Sequence, residues 1–446
     1  MNLIYREHIF KIFFFLIFFI AFLTKAFSQD TAALAVPIQF DEFKMGFEFR
    51  PRTEFRNGYR ELRNDTTSPA LFTNQRSRLY LTYQRPGFIF HTSLQDIRIW
   101  GEDDPRSTGR AIQIFEAYVE PTLLKNISVR IGRQKIMYDN QRLFAQNDWR
   151  QNGGAHDAVR FMYYKPKLET DLISAFNQSQ ERFFETTFTP AGFTNYKILV
   201  AHFLKYKLSD KLILTTINVM DAFQDTKNLR NNNYRFTSGG RVEYIKEKLY
   251  LTAASYYQYG ETPTGQELSA YYYQPEIKYA FIKPLTFHLG AEVFSGDDGT
   301  EKNSVSHSFD ALYGVNHRFL GSMDFFIRFP ADFNIAGIIA PYFFTFYDLT
   351  KKIILRADEH LFFSQNNFVQ EGNVIDKYLG FENDLLLIYR PIKSTEVQLG
   401  FSYALLTDSM EIIKKKGNSD LLHTWGYLMI TFKPELLNVK KEIKGT

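Results

Sequence analysis

Apolar and polar residues alternate along run after run of this chain. In residues 284–299, PLTFHLGAEVFSGDDG, one parity holds Leu285, Phe287, Leu289, Ala291 and Val293 and the other Thr286, His288, Gly290 and Glu292. Successive side chains of a strand point to opposite faces, so the pattern predicts strands with one greasy and one polar side. It recurs in 76–84, 157–164, 271–281 and 395–405; in the last, Val397, Leu399, Phe401, Tyr403 and Leu405 oppose Glu396, Gln398 and Ser402. A soluble sandwich would turn the apolar parity to a core. An outer-membrane barrel would turn it to lipid and close the polar parity around water.

The connections separate the two readings. Short ones at 85–87, 121–126, 165–167, 208–211, 246–248, 282–284, 349–352 and 391–394 carry Pro, Gly, Asn, Asp, Ser or Lys, the chemistry of tight turns. Longer polar stretches alternate with them, at 57–73, 101–110, 136–156, 178–194, 222–234, 260–270, 296–334, 365–377 and 406–421. A sandwich has no reason to put every long connection at one end. The expected fold is therefore all-β: an 18-stranded antiparallel transmembrane β-barrel with short periplasmic turns, long extracellular loops and no plug domain. Residues 88–99 change phase near Gln95, which reads as a bulge, and 196–205 fits neither parity cleanly.

Aromatic residues make up 17% of the chain, yet mean hydropathy is −0.28. Beyond the N-terminus no apolar run approaches the roughly 20 residues of a membrane helix, so any crossing is made by strands. At the start, Arg6 and Lys11 precede the apolar stretch 12–23 and Ala26-Phe27-Ser28, a pattern that predicts a secretory signal peptide over 1–28. Residues 29–43 are then a short periplasmic segment, 44–432 the barrel and 433–446 a periplasmic tail. The last strand, 423–432, ends in Phe432 with Ile430, Leu428 and Gly426 on its parity, like the terminal signal read by the barrel-assembly machinery. The signal peptide holds three basic residues and one acid, so the net charge falls from +4 to +2, and no global field argues for nucleic acid. Zero cysteines exclude disulfides and thiolate metal sites.

The stretch 131–164 carries Gly132-Arg133-Gln134, Tyr138, Arg142, Asp148-Trp149 and Asp157-Ala158-Val159-Arg160. It resembles the alginate export family of outer-membrane barrels. Residues 316–326, with His317, Phe319, Gly321 and Asp324, are similar to that family's His-x-Phe-x-Gly-x-x-Asp segment, and 355–363 to its strand bearing Asp-x-His, here Asp358 and His360. His156 stands where the family has another aromatic, and Tyr138 lacks the usual following Gly. The resemblance implies a passive channel for anionic or other polar solutes, set in outer-membrane lipid and lipopolysaccharide and expected to be monomeric.

A channel selects by the charges lining its narrow part and by loops in its lumen. The polar parity offers Arg76, Arg78, Arg130, Arg160, Arg241 and Arg356, joined by Arg50 and Arg98, with Arg133 at a strand end. Arginine forks grip carboxylates and stay charged, so uronates of oligo- or polysaccharides, organic acids or phosphates are the natural cargo. Glu116, Asp157, Glu243 and Asp358 share that parity, as do Glu276, Glu292, Glu382 and Asp384; the arginines could equally brace the wall in ion-pair ladders around an unselective pore. Loop 136–156, with Arg142, Asp148, Trp149 and Arg150, is either a constriction or an external loop. No H-x-x-x-H pair or G-x-S-x-G elbow occurs, so no enzyme is expected, and His360 beside Asp358 reads as a lumen polar cluster. No cofactor is expected, although the Asp-rich stretch 295–304 could hold Ca²⁺ despite lacking EF-hand spacing.

Overall fold

The computed structural model describes residues 40–104, 112–188, 195–301, 304–328, 330, 332 and 336–442. The expected signal peptide lies outside these residues. The wall strands are β1 (Phe40–Asn57), β2 (Ala70–Arg85), β3 (Phe88–Ile99), β4 (Gln113–Leu124), β5 (Ile127–Gln134) and β6 (His156–Lys165). Next come β7 (Leu168–Phe176), β8 (Ile198–Lys207), β9 (Leu212–Gln224), β10 (Asn232–Lys246), β11 (Leu249–Glu261) and β12 (Glu267–Ile282). The circuit ends with β13 (Leu285–Phe294), β14 (Ile338–Asp348), β15 (Ile353–Ser364), β16 (Tyr378–Ile392), β17 (Thr395–Leu406) and β18 (His423–Phe432).

Each strand pairs antiparallel with the next, and β18 returns to β1 through Arg52↔Met429 to Asn57↔Thr424. This is the closed 18-stranded antiparallel barrel that the alternation predicts. The long and short connections fall where the sequence places them. Closure leaves no open edge along the circuit, the condition for strands to stand in lipid. The greasy parity faces outward: Leu399, Phe401 and Leu405 are 54%, 47% and 54% exposed, while Ser402 and Ala404 between them are buried.

The structure shifts three details. The register break of β3 lies between Ser93 and Leu94, and Phe115 of β4 is the extra residue. β3 therefore keeps one phase, and no bulge sits at Gln95. β8 looked ambiguous because its inward residues Leu199, Ala201 and Phe203 are themselves apolar and buried in the molecule's main core. Finally, β1 begins at Phe40, four residues before Lys44, and the described part of the expected tail, 433–442, is not free. Glu435–Glu442 form a further strand, β19, paired with Phe40–Gly46. β18 and β19, joined at Lys433-Pro434, together cover the full length of β1.

The two faces make opposite demands. Leu399→Arg puts a charge in hydrocarbon and should cost about 2–4 kcal/mol, whereas Gln398→Arg on the lumen face should cost far less. Urea unfolding in phospholipid vesicles measures both.

Candidate functional site

The lumen is occupied by loops. The β5–β6 connection (135–155), the described residues of the β13–β14 connection (295–301, 304–328, 330, 332, 336 and 337) and the β17–β18 connection, which carries helix α1 (Asp408–Lys414), fold inward. The first two join through their backbones: Ala145 N–H donates to Tyr313 O (3.1 Å), Tyr313 N–H to Leu143 O (3.0 Å) and Val315 N–H to Gln141 O (3.2 Å). Buried backbone polar groups must find partners, and these loops supply each other's. A Cβ on Gly314 would lie 1.8 Å from Arg142 O, so the approach needs glycine there.

The residues of the sequence motifs are the anchors. Asp148 takes Arg50 at 3.2 Å and Arg76 at 3.0 Å. Arg50 also donates to Gln151 Oε1 (2.9 Å). Arg52 donates to Trp149 O (2.8 Å) and lies 4.0 Å over the Trp149 ring, which stacks on His317 at 4.3 Å. Arg142 reaches Glu292 (3.0 Å), Val315 O (2.6 Å) and Asn316 Oδ1 (2.9 Å).

In the second loop, Asp324 sits 2.7 Å from His317 Nδ1 and also receives Tyr59 and Arg60. Met323 N–H donates to Glu382 (2.8 Å) and Ser322 N–H to Asp384 (3.1 Å). A Cβ at Gly321 would lie 2.5 Å from Glu382 Oε1, which explains the motif glycine. Tyr313 OH donates to Asp221 (2.6 Å), and Arg235 bridges Asp221 and Asp310 at 2.7 Å each. On α1, burial pushes the Lys414 ammonium down to about 8, and it donates to Phe325 O.

Most wall arginines are already partnered. Arg76 holds Glu48 (2.7 Å), Arg130 Glu120 (2.6 Å), Arg160 Asp171 (3.0 Å), Arg241 Glu243 (2.6 Å) and Arg356 Asp358 (2.7 Å). Arg78 bonds Gln95 and stands 3.7 Å over Phe115. Glu116 pairs with Lys135 (2.9 Å), and His360 Nε2 lies 3.9 Å from Asp384. Arg98 does not line the lumen. Because β3 keeps its phase, Arg98 pairs across from Gln75 on the face of Leu79 and Leu94, and binds Asp96 (2.7 Å). Arg133 and Asp157 sit at the long-loop rim, bound to each other at 2.8 Å.

Of the loop arginines, Arg318 was not singled out by sequence reasoning, whereas Arg150 was named with loop 136–156. Arg150 and Arg318 have no carboxylate within 4 Å among the described residues, and Arg318 is exposed; the charges acting on it most are Arg356, Glu276 and Arg241, all on the wall. The signal of Arg318 was faint, since a lone arginine in a polar loop looks like any solvated residue. Arg235 was missed because it stands just past the stretch read as loop, 222–234, with its partners Asp221 and Asp310 far off in sequence.

Two cavities flank the loops. The one toward the long loops, about 600 Å³, is lined by Arg133, Arg150, His156, Asp157, Tyr196 and Tyr313 among others. The other, toward the short turns, is about 310 Å³ and includes Tyr138, Asp139, Arg160 and Glu243. Phe144 packs against Tyr138 (5.8 Å), His156 (6.2 Å) and Tyr313 (5.4 Å), so one aromatic cluster reaches both. The Asp-rich stretch 295–304 turns on itself: Asp298 accepts from Thr300 (2.6 Å) and Asn367 (2.8 Å), and Asp297 from His307 N–H (2.5 Å). Among the described residues no group of three or more His, Asp or Glu is arranged to hold a metal ion.

A closed barrel with a greasy exterior and a charged, loop-lined interior is an outer-membrane porin. The family model described as Alginate export matches residues 41–330, and the chain belongs to that family. No curated protein matches it significantly. It is similar in fold to the crystal structure of OpdO of Pseudomonas aeruginosa, with TM-score 0.60 and 12% identity over 90% of this chain and 99% of that one. OpdQ of the same organism gives 0.59 and 12% over 89% and 98%. OpdK of Pseudomonas aeruginosa, crystallised with vanillate, gives 0.58 and 12% over 89% and 99%.

Asp148 holds the first loop to the wall. Asp148→Asn leaves Arg50 and Arg76 short of a counter-charge and should cost about 1–3 kcal/mol, read by urea unfolding. Burial alone would raise the Asp148 carboxyl, but Arg50 and Arg76 outweigh it and hold it below its ordinary value. Asp324 is likewise held down, by His317, Tyr59 and Arg60 against burial. A carboxyl held low in the folded state stabilises above the ordinary value and loses that contribution as pH falls. The difference in unfolding free energy between the unaltered chain and Asp148→Asn, measured by urea unfolding across pH, should therefore hold down to about pH 4 and shrink only below it.

Proposed function

We propose that the protein passes small anionic polar solutes passively across the outer membrane, and that the selecting charges sit on its in-folded loops. The observation that carries this is the contrast between partnered wall arginines and unpartnered Arg318 and Arg150. An arginine bound to a carboxylate presents little net field to a passing ion. An unpaired one presents a full charge, yet binds loosely enough to release in a wet lumen. The occupant of the OpdK structure, vanillate, bears a carboxylate, which agrees with anionic cargo for this fold. The chain acts as a monomer in lipid and lipopolysaccharide, inserted by the barrel-assembly machinery through the pattern of β18.

Weak selectivity is the second reading, and the extent of wall pairing favours it. Planar-bilayer reversal potentials under a salt gradient decide. A charge about 6 Å from a permeating ion in a water-like medium acts with roughly 0.7 kcal/mol, about threefold in occupancy. Arg318→Gln should lower the anion-to-cation permeability ratio by about that factor. The double change Arg130→Gln with Glu120→Gln, which removes a neutral pair, should leave the ratio unchanged. Cation preference in the unaltered protein would contradict the proposal.

A further inference from the structure

The 310 Å³ cavity on the short-turn side carries charge of the opposite sign. Its lining includes Arg160 and Lys205 but also Asp139, Glu169, Asp171 and Glu243. Three of these carboxylates are neutralised: Asp171 by Arg160 (3.0 Å), Glu169 by Lys205 (3.4 Å) and Glu243 by Arg241 (2.6 Å). Asp139 has no cation within 4 Å among the described residues. Its Oδ2 accepts from Thr215 Oγ1 (2.9 Å) and Tyr256 OH (3.5 Å), hydroxyls that orient the carboxylate without cancelling it. Its Oδ1 takes no hydrogen bond and is not sealed from solvent.

The walls beside that carboxylate are aromatic. Tyr138 and Phe203 both line the cavity and stack at 4.2 Å with their planes 13° apart, and Tyr164 and Met137 complete the surround. A carboxylate with no ion-pair partner, reached only at longer range by the field of Arg241, beside aromatic faces suits an organic cation, whose charge meets the anion while its alkyl part covers the rings. A metal ion would ask for several oxygen or nitrogen ligands at once, and the remaining carboxylates here are engaged.

We propose that this cavity is a subsite for a small organic ammonium group, with Asp139 as its counter-ion and Tyr138 and Phe203 as its apolar wall. With Arg150 and Arg318 elsewhere in the lumen, such a site extends the cargo to solutes carrying an amine as well as a carboxylate. It rests on the reading of the lumen as a solute path, but the site itself can be tested by binding alone.

The test is calorimetric titration of n-butylammonium chloride into the full chain in detergent, with sodium chloride and calcium chloride as parallel arms. Butylammonium should bind more tightly than either inorganic cation. Asp139→Asn should weaken it by about tenfold or more, and asparagine accepts the positive φ of 49° at this position as readily as aspartate does. Phe203→Ala should also weaken butylammonium binding. Thr215→Val, which keeps the charge, should hold affinity within about threefold. Equal binding by Asp139→Asn and the unaltered chain, or equal affinity for sodium and butylammonium, would overturn the subsite. Loss of single-channel steps in a bilayer, with ammonium binding intact, would instead count against the solute path while the subsite stands.

Discussion

Every backbone N–H and C=O that enters hydrocarbon must be bonded within the protein, because lipid offers no replacement. That requirement makes the strands pair all the way round, and it acts most visibly at the seam. β1 is longer than β18, so β18 alone would leave Phe40–Gly46 with one side bare. β19 pairs with those residues instead, and Met45↔Leu437 and Phe43↔Val439 continue the greasy outer face across the join. Residues Glu435–Glu442 thus belong to the wall.

Closure creates an interior that must then be filled or wetted. Here much of it is filled. Apolar inward residues such as Leu199, Ile217 and Tyr272 form one core with Phe144, Phe309 and Phe326 of the loops, so the barrel holds a hydrophobic cluster on the side away from lipid. Around that cluster the polar parity is stitched by ion pairs, several fully buried. Breaking such pairs costs more than forming them gains, which points to fixing the positions of the loops as their main effect. Among the described residues, Arg150, Arg318 and Asp139 are loop charges with no oppositely charged partner within 4 Å.

Much of the fold was legible because period-two alternation and turn chemistry are local. Leu399 and Gln398 declare their faces by parity, and Lys-, Pro- and Asp-bearing turns mark the short connections. β8 was not legible in that way, since Leu199 and Phe203 face inward toward loops that no local pattern reveals. The site was readable only in part. Asp148, Trp149 and Arg142 stood out through the family motif, and they do anchor the loop. The partners that settle each arginine's role lie across the barrel, as Glu292 does for Arg142, and the wrong face assigned to Arg98 followed from a bulge that belongs to β4.

The alternation itself can be measured directly, and the lack of native cysteine makes the background clean. Single cysteines placed at each position of Thr395–Leu406 and spin-labelled in phospholipid vesicles report collisions with dissolved oxygen, which concentrates in hydrocarbon. Labels at 397, 399, 401, 403 and 405 should show high oxygen collision rates and those at 396, 398, 402 and 404 low ones. Reversed alternation, or none, would contradict a barrel whose apolar parity touches lipid and whose charged parity encloses the lumen.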